Sequence, residues 1–116
     1  MIVDAPPSCA SKIRTAVAEV TSNPITHLIY SHYQADPIGG ATTPGGSPTV
    51  IADAATHLLL RRDSDPNWPL ATVTFTDKYH LTIGSPTLRT VVWRGRARVG
   101  NIYVHAPKQR TYWWLM

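Results

Sequence analysis

"HLIYSHYQADPIGGA", residues 27–41, decides how the rest of the chain is read. His27 to Tyr30 is apolar enough for a buried strand. Ser31, His32, Tyr33, Gln34, Ala35, Asp36 and Pro37 follow, then Ile38-Gly39-Gly40-Ala41. In an extended segment alternate residues point the same way. His32, Gln34 and Asp36 therefore share one side at a strand end, where a ligand or metal site is commonly built.

Upstream, Ile2-Val3 is a short apolar start closed by Asp4-Ala5-Pro6-Pro7. Ser8 to Ser22 is expected to be helical, because Ile13, Ala16, Val17 and Val20 repeat at i, i+3, i+4 and i+7 as one buried face. Ser8 or Ser11 is the expected cap. Asn23-Pro24 stops the helix. Strand, helix and strand within about thirty residues make a βαβ unit with a right-handed crossover.

Downstream, Thr49-Val50-Ile51 reads as a strand. Ile51, Ala54, Ala55, Leu58, Leu59 and Arg62 mark a second amphipathic helix. After Ala71 the period becomes two, through Val73–Phe75, Tyr79–Ile83, Leu88–Val92, Ile102–Val104 and Tyr112–Leu115, with turn signals between. The expected class is α/β, with a βαβ front half followed by antiparallel strands, in a single domain over residues 1–116.

Composition narrows the function classes. Of 116 residues, 43% are hydrophobic and 16% charged, a globular balance. Apolar runs fall far short of the ~20 residues that span a bilayer, so no membrane role is expected. The N-terminus lacks the basic and apolar regions of a secretory signal, which makes a cytoplasmic location the default. One cysteine, Cys9, excludes an internal disulfide and a multi-cysteine zinc cage. The formal net charge is +4, and Arg89, Arg94, Arg96, Arg98, Lys108 and Arg110 concentrate basic charge near the C-terminus.

"DAPPS", "ITHLIYSHYQADPIGGA", "TFTDKYHLTIGSPTL" and "GNIYVHAPKQR" occur in one order over nearly the whole chain. Together they resemble the metallo-beta-lactamase-fold hydrolases. The resemblance implies part of an αβ/βα sandwich, with a His-x-His-x-Asp-His motif at a strand end. In that family the histidines and aspartate hold zinc, whose bound water attacks an ester, amide or thioester.

Carried over residue by residue, His32 matches the first histidine and Asp36 the aspartate, the one candidate catalytic residue. Gln34 and Pro37 stand where histidines are expected. Gln34 is a poorer zinc ligand than imidazole, and Pro37 has no side-chain donor. The family's loop histidine before "GN" is missing from Trp93–Asn101, which holds Arg94, Arg96 and Arg98 instead. Arginine does not ligate. His32, Asp36 and Gln34 thus remain as a zinc set below the usual three good ligands. The resemblance also implies that family segments preceding "VDAPPS" and following Met116 are absent, including two further ligands.

Three functions follow, in order. The first is an inactive remnant or pseudoenzyme, whose exposed aromatic strands invite self-association or a partner that covers the sheet. The second is a zinc-dependent lactam, ester or thioester hydrolase with a weakened site. The third is a basic nucleic-acid-binding module using Arg94–Arg98 with Trp93 and Tyr103, placed last because "RGRAR" is a short, unspecific pattern.

Overall fold

The computed structural model describes residues 1–33, 47–84, 88–94 and 99–114. Two four-stranded sheets pack face to face. The first has order β1-β2-β3-β4: Ile2–Val3, His27–Ile29, Thr49–Asp53 and Val73–Phe75. Its strands are all parallel, with Leu28 opposite Ile2 and Val50, and Ile51 opposite Val73. The second is antiparallel, with order β5-β6-β7-β8: Lys78–Ile83, Leu88–Arg94, Ile102–Ala106 and Thr111–Trp114. The expected α/β class and its division into two halves hold.

Strand alternation sorts the core into two layers. Leu28, Tyr30, Val50 and Ala52 face outward from the first sheet and pack with Leu60, Ala71 and partly buried Ile13. Their neighbours Ile29 and Ile51 face the other way. They meet Phe75, Leu81, Ile102 and Val104 between the sheets. A sheet buried on both faces needs apolar residues at every position, which is why "LIY" and "VIA" show no alternation.

Four local expectations require correction. Helix α1 spans Pro7–Val20 and is capped by Pro6 without a side-chain hydrogen bond, so neither Ser8 nor Ser11 caps it. A proline in the first turn loses no intrahelical bond and its φ is already helical. The face proposed for α1 is only half covered: Ile13 and Val17 are partly buried, Ala16 is exposed, and Val20 is 83% exposed. Helix α2 spans Ala54–Asp63 and buries Thr56 and Leu60, while Leu58 is 62% exposed. Asp53 causes that shift. It ends β3 and accepts the Ala55 N–H at 2.8 Å, so Ile51 is strand and the helix starts later. Finally, β4 joins the parallel sheet rather than the antiparallel one.

Among the described residues no helix is long and apolar enough to cross a membrane.

Candidate functional site

The carboxyl ends of β1, β2 and β3 meet at one edge of the parallel sheet, the edge where α/β folds place ligands. Asp4 follows β1 with φ 62°, a left-handed conformation that aspartate tolerates better than most residues. Two hydrogen bonds hold it there. Its N–H donates to the Ile29 carbonyl at 2.9 Å. Its Oδ1 accepts the Ser31 N–H at 2.8 Å.

Ser31 links this turn to His32. Its Oγ lies 2.8 Å from His32 Nδ1, and its hydroxyl also hydrogen-bonds to the Asp4 carboxyl. In the tautomer with Nδ1 protonated, the Ser31 hydroxyl accepts from Nδ1–H and the imidazole lone pair sits on Nε2. An acid that orients a histidine in this way is the usual outer shell of a metal ligand. Burial pushes the Asp4 carboxyl above its ordinary range, and the Ser31 bonds and the nearby His32 pull it back in part.

The second sheet closes the corner. Ile102 N–H donates to the Ser31 carbonyl at 2.8 Å. Gly100, with φ 73°, precedes it and accepts from Thr56 Oγ1 at 3.3 Å. A Cβ on Gly100 would collide with the Thr56 side chain, so this approach of α2 requires glycine. Asn101 and Asp53 are buried at the same edge.

Of the sequence-derived zinc-site residues, only His32 lies among those described, and of the nucleic-acid candidates Trp93 and Tyr103 do. Gln34, Asp36, Pro37 and the Arg96 and Arg98 positions lie outside them, as does the Arg94 side chain. The other histidines do not join His32. His27 is partly buried, with Nδ1 2.8 Å from Thr26 Oγ1. His57 is partly buried in α2, with its Nδ1 inaccessible. His80 and His105 alternate with the buried residues of β5 and β7 and so face away from the core. Among the described residues no three of His, Cys, Asp and Glu come together as a metal-binding group. A hollow of about 700 Å³ lies at the opposite edge, against Val17, Val20, Ile25, His27 and Ile83, and serves no part of this corner.

Sequence reading missed Asp4 and Ser31. The available signal was position alone: an acid directly after one parallel strand, and a hydroxyl directly before the candidate ligand.

The zinc implied by the family is tested by its donors. His32 is one good ligand and Asp36 a second by type. Gln34 is a weak third, and Pro37 and the loop arginines supply none. By type, this set offers two good donors and a weak third, where a catalytic zinc usually takes three good protein ligands and an open position.

No family model and no curated protein matches the chain. Solved structures do. The metallo-beta-lactamase MIM-1 from Novosphingobium pentaromativorans matches with a TM-score of 0.71 at 18% identity, covering 88% of this chain and 43% of its own. The Cronobacter sakazakii metallo-beta-lactamase described with a HARLDQ motif gives 0.71 at 16% identity, covering 88% and 45%. The enzyme from Pontibacter korlensis gives 0.68 at 22% identity, covering 84% and 45%. The chain thus spans less than half the length of the proteins it resembles. Over that span, it has the metallo-beta-lactamase fold.

Proposed function

We propose that this chain is a metallo-beta-lactamase-fold homologue that does not hydrolyse lactams, esters or thioesters through zinc. The observation that carries this reading is a mismatch at one corner. Asp4 and Ser31 orient His32 as a ligand would be oriented, yet Gln34 and Pro37 stand at the next two histidine positions of the motif. One oriented imidazole, with Asp36 as a second good donor by type, falls short of the three good ligands that usually hold a zinc and acidify its water.

The retained corner has a sufficient structural cause. Asp4 accepts a backbone N–H that would otherwise be unpaired, and losing such a partner costs about 1–3 kcal/mol. Its presence therefore follows from folding alone and does not require a metal.

The test is turnover of a chromogenic lactam, a nitrophenyl ester and a thioester with zinc supplied in excess. The expected result is no hydrolysis beyond the rate with zinc in buffer. Turnover that chelation abolishes and His32→Ala removes would instead establish a working zinc hydrolase.

A further inference from the structure

We draw no further inference here: the strongest candidate, the hollow at the edge of the parallel sheet opposite His32, is bordered by Met1 and Ile2 as well as Val17, Val20, Ile25 and His27, and nothing in the structure shows what covers it.

Discussion

The corner around His32 and the outer face of the antiparallel sheet differ in what folding demands of them. At the corner, the contacts that fix the turn serve the backbone. Asp4 accepts from Ser31, Ile102 donates to Ser31, and Thr56 donates to Gly100. Such a corner persists for reasons of stability whether or not a metal is bound. On the outer face, exposed Tyr112, Lys78, Lys108 and Arg110 do nothing for the core.

Stability measurements on substitutions are the first way to break this contrast. Ile51→Ala is expected to have the largest effect, a loss of about 2–5 kcal/mol, because Ile51 is fully buried between the sheets. Chemical denaturation measures it, and a loss below about 1 kcal/mol would mean that the two sheets do not pack as described. Gly100→Ala comes next, at about 2 kcal/mol or more, from its positive φ and its contact with Thr56. Thr56→Ala in the Gly100→Ala background is expected to recover the steric part and leave the backbone strain.

Asp4→Ala is expected to cost about 1–3 kcal/mol by leaving the Ser31 N–H without its acceptor. Asp4→Asn sharpens this through pH. A carboxyl raised by burial binds its proton more readily folded than unfolded, so wild-type stability from this group rises as pH falls through the raised value toward 3.8. Asparagine has no such dependence. The stability gap between wild type and Asp4→Asn is expected to widen on acidification and to narrow toward neutral pH. A gap that closes on acidification would mean that Asp4 is stabilised as the anion. At the small end, Leu58→Ala and Tyr112→Ala are expected to stay within about 0.5 kcal/mol of wild type, since both side chains are exposed.

Much of the fold was legible in the sequence because its signals are local. The apolar run His27–Tyr30 marked a buried strand and Thr49-Val50-Ile51 a second strand, and proline and glycine marked the breaks. Partner choice was not legible. Val73–Phe75 alternates like the strands after it, yet its partner is β3, more than twenty residues earlier. The buried face of α2 was misread because Asp53 caps the helix and turns Thr56 and Leu60 inward, leaving Leu58 outside. At the candidate site, His32 was identified by its motif. Asp4 and Ser31 were missed because their roles come from a turn that brings residues 27 apart together. The ring contacts of the second sheet were hidden for a similar reason: Trp93, His105 and Tyr112 share a face only once the register of three strands is known.

The central claim is that this corner orients a histidine without holding a zinc. The most direct test is bound zinc per chain by elemental analysis, on wild type and on a Gln34→His, Pro37→His double variant purified alike with zinc present. The account predicts negligible zinc on the wild type and about one zinc per chain on the double variant, lost again when His32→Ala is added. About one zinc on the wild type, removed by His32→Ala, would contradict it.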